Sequence, residues 1–289
     1  MKAVVWNAIS QIDAEFVKHY GDDPNVLSIF VVGSMADRKY AVRQNNDYDI
    51  RIVAKKVTPE LLKDFEDMLK MLSAKLSTDK LCVGYSTLIA AASHSLSEDK
   101  CNILIHALIH AETDLHDFLP VTHQYTYGNL YHIVSGEDCL AQFKNVRYTL
   151  DDLRNCHEGL YYCIDMLEKR EYRYLCWEID GEKCNFVFRV EPLSEAETDE
   201  CCFYSVNKIL GNLQNYARFS GYIVPYDRYR FAERFVGEMD VNTMMFLWGL
   251  VRKREDTIKM FSDDVVKKTV EMLRIFEKKM ECFDEIFNK

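Results

Sequence analysis

Residues Val31 to Val53 read VVGSMADRKYAVRQNNDYDIRIV, and this stretch decides the fold. The apolar run Ile29 to Val32 leads into it and predicts a buried strand that ends at Gly33 and Ser34. Gly33 permits a tight turn and a close approach of the backbone to a ligand, and Ser34 is placed to cap a following helix. Such a turn points backbone N–H groups at a position that suits a phosphate.

The second half of the stretch places two carboxylates at the head of another strand. Asp47 and Asp49 flank Tyr48 and precede the apolar run Ile50 to Val53. Because strand side chains alternate, Asp47 and Asp49 share one face and Tyr48 lies on the other. Two carboxylates on one face suit Mg²⁺, which keeps waters and takes further ligands from substrate phosphates. The alternative interpretation is a glycine turn followed by an exposed acidic loop.

Length and composition predict a globular protein with a substantial core. The 289 residues fit one large domain or two ordinary ones, and 48% of them are hydrophobic, with few Gly and Pro. No apolar run reaches the length of a membrane span, so no membrane partner is expected. The start, Met1 to Trp6, is too short for a secretory signal, and a cytoplasmic protein is therefore expected.

Charge and cysteine spacing exclude two further classes. A formal net charge of −10 argues against nucleic acid as the main partner. The ten cysteines include no Cys-x-x-Cys pair, and most lie in apolar stretches. We therefore expect free, buried thiols rather than a zinc site or a disulfide framework.

The pattern along the chain predicts an α+β N-terminal part and a mainly helical C-terminal part, divided into residues 1–148 and 149–289. Helical periodicity and caps predict helices over residues 3–20, 58–76 and 149–170, and three or four more from residue 201 to the end. Residues 100–111 read as a strand of the N-terminal sheet, and residues 128–138 as a short strand and turn. Residues 171–190 are ambiguous around a hairpin-like turn, and residues 194–200 read as an acidic surface segment.

The order strand, Gly-Ser, spacer, Asp-x-Asp, strand resembles the polymerase-β-type nucleotidyltransferase superfamily. Within it, the run Asn46 to Ile50 and the chain length are similar to the aminoglycoside 6-adenylyltransferases, the streptomycin-modifying group. A fainter likeness covers residues 152–158, 169–171 and 229–235. The resemblance implies an N-terminal mixed sheet flanked by helices, a helical substrate-binding C-terminal domain and a cleft between them. It also implies transfer of AMP from ATP to a hydroxyl of a small cationic, aminoglycoside-like acceptor.

The resemblance also implies roles for individual residues. Asp47 and Asp49 would hold one or two Mg²⁺ or Mn²⁺ ions, and Gly33 and Ser34 would cradle the β- and γ-phosphates. Glu158, on the first helix of the C-terminal domain, is the candidate general base, with Asp165 as a second candidate. Three cations of the connecting segment could reach the triphosphate: Arg38, Lys39 and Arg43. The alternative is that each is a solvated surface charge.

One position departs from the superfamily pattern. The third carboxylate usually lies on the later strand, here residues 100–111, and His106 takes that position. A neutral imidazole can ligate a metal, although it suits Zn²⁺ or Mn²⁺ better than Mg²⁺. The alternative is a hydrogen-bonded, half-buried strand histidine. Two other functions therefore stay open: transfer to a protein, tRNA or nucleotide acceptor, and a catalytically degenerate member that binds nucleotide or only a partner.

Overall fold

The first part of the chain is built around a five-stranded mixed sheet. The computed structural model describes residues 2–37, 42, 46–90, 101–115, 131–143, 150–252 and 264–287. The strands are β1 (Val26–Val32), β2 (Asn46–Ala54), β3 (Val83–Ser86), β5 (Ile103–Ala111) and β6 (Tyr131–Gly136), with the short β4 (Ile89–Ala90) outside this sheet. Their order is β3-β5-β2-β1-β6. The expected α+β architecture is confirmed.

The register of the sheet brings distant parts of the chain together. β2 runs parallel to β5 and antiparallel to β1, so that Asp49 lies opposite His106 on one side and Val32 on the other. β3 is parallel to β5, and β6 is antiparallel to β1. The predicted strands over residues 29–32, 50–53 and 100–111 are confirmed, but β2 begins earlier than predicted. Both aspartates therefore lie inside β2 instead of just before it.

Two helices, α1 (Lys2–Tyr20) and α2 (Pro59–Leu76), cover one face of the sheet. Tyr48 is fully buried in the core on that face and donates a hydrogen bond to Asp13 of α1. At the start of α2, the Thr58 hydroxyl accepts a hydrogen bond from the Leu61 N–H, and Pro59 occupies the first turn. Apolar residues of the two helices and of the sheet form this core: Val5, Ile9, Ile12, Phe16, Leu61, Phe65, Leu69, Leu72, Ile50, Ile52, Ile103, Ile105 and Ile109.

The opposite face of the sheet carries a smaller core and the polar side chains. Phe30, Val32, Val53, Leu115 and Leu140 form that core. Alternation along β2 and β5 places Asp47, Asp49, Arg51, His106 and His110 on this side. The division of apolar and polar residues between two faces follows from the period of two along each strand.

A long β-hairpin follows the first helix of the C-terminal part. Its strands are β7 (Glu171–Asp180) and β8 (Lys183–Pro192), and Gly181 turns between them with φ of 61°. The predicted hairpin turn is confirmed. β7 also pairs with β4, and the Trp177 Nε1–H donates to the Ile109 carbonyl of β5 at 3.0 Å.

The chain divides into two compact units, and each unit is made of two separate segments of the sequence. The first unit contains residues 1–146 and 174–189, and the second contains residues 147–173 and 190–289. The sequence predicts one boundary at residue 148. In the structure, the hairpin residues 174–189 instead group with the first unit, because they pair with β4 and bond to β5.

The second unit is helical. Its helices are α3 (Leu150–Lys169), α4 (Glu195–Phe219), α5 (Arg228–Val236), α6 (Val241–Arg252), α7 (Val265–Met280) and α8 (Phe283–Phe287). Stacked aromatic rings of Phe231, Phe235 and Phe287 contribute to its core. No helix of the described ranges has the length and apolar content needed to cross a membrane.

Residues 194–200 form the start of a helix, with Ser194, Glu195 and Asp199 exposed as expected of an acidic surface segment. Ser194 is the N-cap of α4, with a reciprocal capping box to Glu197, and residues 195–200 are helical. Acidic residues stabilise the first turn of a helix through its dipole. The acidic residues therefore mark a helix start.

The cysteines form no disulfide. All ten are free thiols, as predicted, but only Cys156, Cys163, Cys201 and Cys202 are buried. Five are half-buried, and Cys282 is exposed, so the expectation of general burial is wrong.

Candidate active site

Two neighbouring parallel strands bring Asp47, Asp49 and His106 together. Asp47 and Asp49 project from β2, and His106 lies opposite Asp49 on β5. One ligand atom from each of the three residues lies within 4.8 Å of the others, and in the described ranges no other group of three or more His, Cys, Asp or Glu is placed to hold a metal. The two carboxylates are half-buried and His106 is buried. The three predicted metal ligands thus form one cluster.

Both ring nitrogens of His106 face oxygen atoms. Nε2 lies 2.9 Å from the Leu88 carbonyl oxygen, and Nδ1 lies 2.9 Å from Asp49 Oδ1. A carbonyl only accepts, so Nε2 carries a hydrogen, and Nδ1 is the nitrogen that faces the Asp49 carboxylate. A histidine that ligates a metal has this arrangement, because its other N–H is oriented by a carbonyl or carboxylate.

The donor set fits a divalent cation. Adjacent ligands of an octahedral ion with bonds of 2.0–2.1 Å lie about 3 Å apart. The separation of 2.9 Å between Asp49 Oδ1 and His106 Nδ1 matches that spacing. Carboxylates suit Mg²⁺ and Mn²⁺, and the imidazole shifts the preference towards Mn²⁺ or another transition metal.

Gly33 packs directly against Asp49. Its backbone has φ of 74° and ψ of −161°, a region that essentially only glycine adopts. A Cβ atom at this position would lie 2.8 Å from Asp49 Oδ2, closer than real Cβ contacts. The glycine is therefore needed for its backbone conformation and for the space it leaves beside the carboxylate.

The expectation that Ser34 caps a helix is wrong. Gly33 takes the N-cap position of a short 3₁₀ helix, Ser34–Ala36, and Ser34 is the first residue of that helix. The unusual backbone of Gly33 starts the helix one residue earlier than a serine cap would.

Arg51 is a site residue that the sequence interpretation missed. Its side chain is 2% exposed, and its Nη2 lies 2.9 Å from Asp49 Oδ1. Its Nη1 donates to the carbonyls of Ile50, at 3.0 Å, and His106, at 2.7 Å. A signal existed in the sequence, because a residue two positions after Asp49 on a strand must lie on the same face.

His110 lies further along the same face of β5. Burial lowers its pKa from the usual 6.5 to about 3, and the Arg51 cation and His106 lower it further in the same direction. The ring is therefore neutral at neutral pH. It forms part of the buried polar layer beside the site.

The remaining predicted site residues belong to the second unit or are outside the described residues. Arg38, Lys39 and Arg43 are outside the described residues. Glu158 lies in α3 of the second unit. Hydrogen bonds from Lys169 and Arg173 lower the pKa of Asp165, which keeps this carboxylate ionised and engaged in ion pairs.

The arrangement of elements agrees with that of a known enzyme. The chain is similar to the crystal structure of a spectinomycin adenyltransferase from Enterococcus faecialis with ATP and spectinomycin. The match covers 96% of this chain and 99% of that chain, at a TM-score of 0.52 and 10% sequence identity. The chain shares the fold of that adenyltransferase, in agreement with the fold that the sequence resemblance implies. No protein-family model matches the sequence, and no curated protein does. At 10% identity the likeness concerns the fold, and the roles of individual residues rest on their geometry.

Proposed function

We propose that the protein is a metal-dependent nucleotidyltransferase that transfers AMP from ATP to a hydroxyl of a small cationic, aminoglycoside-like acceptor. The observation that carries the proposal is the cluster of Asp47, Asp49 and His106 beside the Gly33 turn, in a chain with this fold. In nucleotidyl transfer, positioning and electrostatic stabilisation supply most of the catalysis. The proposed site would supply both positioning and electrostatic stabilisation.

The roles proposed for the first unit follow from its donors. A divalent ion held by Asp47, Asp49 and His106 supplies charge neutralisation at the triphosphate when bound. Gly33 packs against Asp49 with no Cβ between them, and its backbone N–H and that of Ser34 are proposed to contact the β- and γ-phosphates. Arg38 and Lys39 are proposed as further triphosphate contacts.

The second unit is proposed to supply the acceptor site and the general base. Glu158 on α3 remains the candidate general base, by the resemblance, for the proton of the attacking hydroxyl. Asp165 is the weaker candidate, since its ion pairs lower its pKa and reduce its basicity. A cationic acceptor agrees with the net charge of −10. The structural neighbour was crystallised with spectinomycin, and the sequence resemblance indicates streptomycin, so both are acceptors to test.

A pyrophosphate-release assay tests the proposal. Each of the four nucleoside triphosphates is offered with Mg²⁺ or Mn²⁺, with streptomycin, with spectinomycin or with no acceptor. The double variant Asp47→Asn/Asp49→Asn should lose acceptor-dependent release. Asp67→Asn, whose side chain is 79% exposed on α2, is the matched control and should keep it. Release that survives in the double variant would contradict the proposed metal site.

A catalytically degenerate, nucleotide-binding protein is the second candidate. His106 in place of a carboxylate and the ion pair of Asp49 with Arg51 favour it, since both reduce the negative charge available to metal ions. Binding of ATP without pyrophosphate release under every condition would support this candidate. If the missing carboxylate limits a slow reaction, His106→Asp should raise turnover. Release that depends on a protein or nucleotide acceptor, and on neither antibiotic, would redirect the search to those acceptors.

A further inference from the structure

We propose that Arg51 supplies a built-in positive charge to this site, so that the site binds one divalent ion with the nucleotide instead of two. The inference rests on the proposed nucleotidyl transfer. In two-ion sites the metals lie about 3.5–4 Å apart and share carboxylate oxygens. Asp49 is the carboxylate whose Oδ1 contacts both His106 and Arg51, so a second ion that shared this oxygen would lie beside the guanidinium.

The position of Arg51 is rigid. Its Nη1 is bonded to two main-chain carbonyls, those of Ile50 and His106, and the side chain is buried. Its Nη2 contacts the same Asp49 Oδ1 atom that His106 Nδ1 contacts, and it lies 3.4 Å from that nitrogen. A guanidinium held in this way cannot swing out to solvent without losing three buried hydrogen bonds.

The charge of Arg51 is permanent, since a guanidinium is not deprotonated in proteins. A cluster of three carboxylates would carry three negative charges. Here Asp47 and Asp49 carry two, His106 supplies no carboxylate, and Arg51 offsets one of the two negative charges. The charge that is left suits a single divalent ion, and a second ion that shared the Asp49 oxygen would be repelled by the fixed charge of Arg51.

The expected result is a defined stoichiometry. Full-length protein is titrated with Mn²⁺ in the presence of a non-hydrolysable ATP analogue, and free Mn²⁺ is followed by its electron paramagnetic resonance signal. One bound ion per protein–nucleotide complex supports the proposal. Two bound ions overturn it, whatever the acceptor assays show.

Two variants that differ in charge test the role of Arg51 itself. Arg51→Gln removes the charge and keeps hydrogen-bond donors, whereas Arg51→Lys keeps the charge. We expect Arg51→Gln to bind Mn²⁺ at least about tenfold more tightly than the wild type, because it removes a positive charge that repels the ion. Arg51→Lys should stay near the wild type. Damage to the fold cannot imitate a gain in affinity. If Arg51→Gln does not fold, the wild-type stoichiometry still decides.

Failure of the proposed function is distinguishable from failure of this inference. If the analogue does not bind, ATP is contradicted as the donor, but Mn²⁺ affinities of the two variants without nucleotide still test Arg51. Equal affinities of Arg51→Gln and Arg51→Lys would contradict the role of its charge.

Discussion

At the scale of single residues, the geometry of the site depends on Asp49. Gly33 leaves room for one of its oxygens, and Arg51 and His106 both contact the other. Each neighbour comes from a different part of the chain: the turn after β1, β2 itself, and β5. The carboxylate therefore has little freedom to adopt other rotamers, and a change in any neighbour should alter metal binding.

Gly33→Ala should damage the site more than the fold. The added Cβ would lie 2.8 Å from Asp49 Oδ2. The backbone of Gly33, with φ of 74° and ψ of −161°, adds strain of about 1–3 kcal/mol for any other residue. We expect Mn²⁺ affinity to fall by about tenfold or more, because the carboxylate must move. Isothermal titration calorimetry measures this.

Gly221→Ala is the matched control for that change. Gly221 also has positive φ, at 90°, but a Cβ there meets nothing within 4 Å. It should lose similar stability in thermal unfolding and keep wild-type metal affinity. Equal loss of affinity in both variants would show that strain alone explains the effect of Gly33→Ala.

His110 should make stability depend on pH. Its pKa is about 3 in the folded protein against an ordinary 6.5, so only the unfolded chain takes up its proton between those values. The stabilisation is complete above about pH 6.5 and is lost as pH falls towards 3, at up to about 1.4 kcal/mol per pH unit. Urea unfolding of the wild type and of His110→Asn, from about pH 7.5 down to about pH 4.5, measures this difference in stability.

The difference between the two proteins should be constant above about pH 7, where the wild-type ring is neutral in both states. It should shrink as the solution becomes more acidic, since the asparagine does not titrate. Parallel stability curves over the whole range would contradict a neutral, buried His110.

At the scale of elements, most boundaries follow from local chemistry. The amphipathic pattern and the Pro59 start identify α2, and the alternation Asp47, Tyr48, Asp49 places tyrosine in the core and the carboxylates on the other face. The start of α4 is not evident from the acidic character of residues 194–200 alone, because any solvated surface segment shares that character. The deciding contact, the reciprocal Ser194–Glu197 cap, spans only three residues and has a recognisable sequence signature.

Ser194→Ala should therefore destabilise the protein by about 1 kcal/mol, because the Glu197 N–H loses its cap. Ser194 is exposed, so the change removes little packing. Chemical denaturation with urea measures the loss. Ser194→Asp keeps an oxygen acceptor at the cap and should stay within a few tenths of a kcal/mol of the wild type; a large loss there would contradict a capping role.

At the scale of the whole molecule, the chain returns to its first unit after entering the second. Residues 174–189 group with residues 1–146, and Trp177 and Cys184 pack against the large core of the first unit. A boundary drawn on the sequence at residue 148 cannot include this return, because the pairing partners lie far apart in the chain.

A fragment of residues 1–148 should consequently be less stable than a fragment in which residues 1–146 are joined to 174–189 by a Gly/Ser linker. The first lacks the Trp177 hydrogen bond to the Ile109 carbonyl and exposes the apolar surface that the hairpin covers. Thermal unfolding followed by circular dichroism compares the two. Equal melting temperatures would show that the hairpin adds nothing to the first unit.

The sequence by itself determined the strand and turn at Gly33, the common face of Asp47 and Asp49, and the helical nature of the C-terminal part, because these follow from side-chain period and local backbone preference. Only the tertiary structure decided that His106 lies opposite Asp49, 57 residues away, and that Arg51 is buried beside it. Strand order and register depend on packing both faces of the sheet at once. Local pattern does not specify which distant strand fills the neighbouring place.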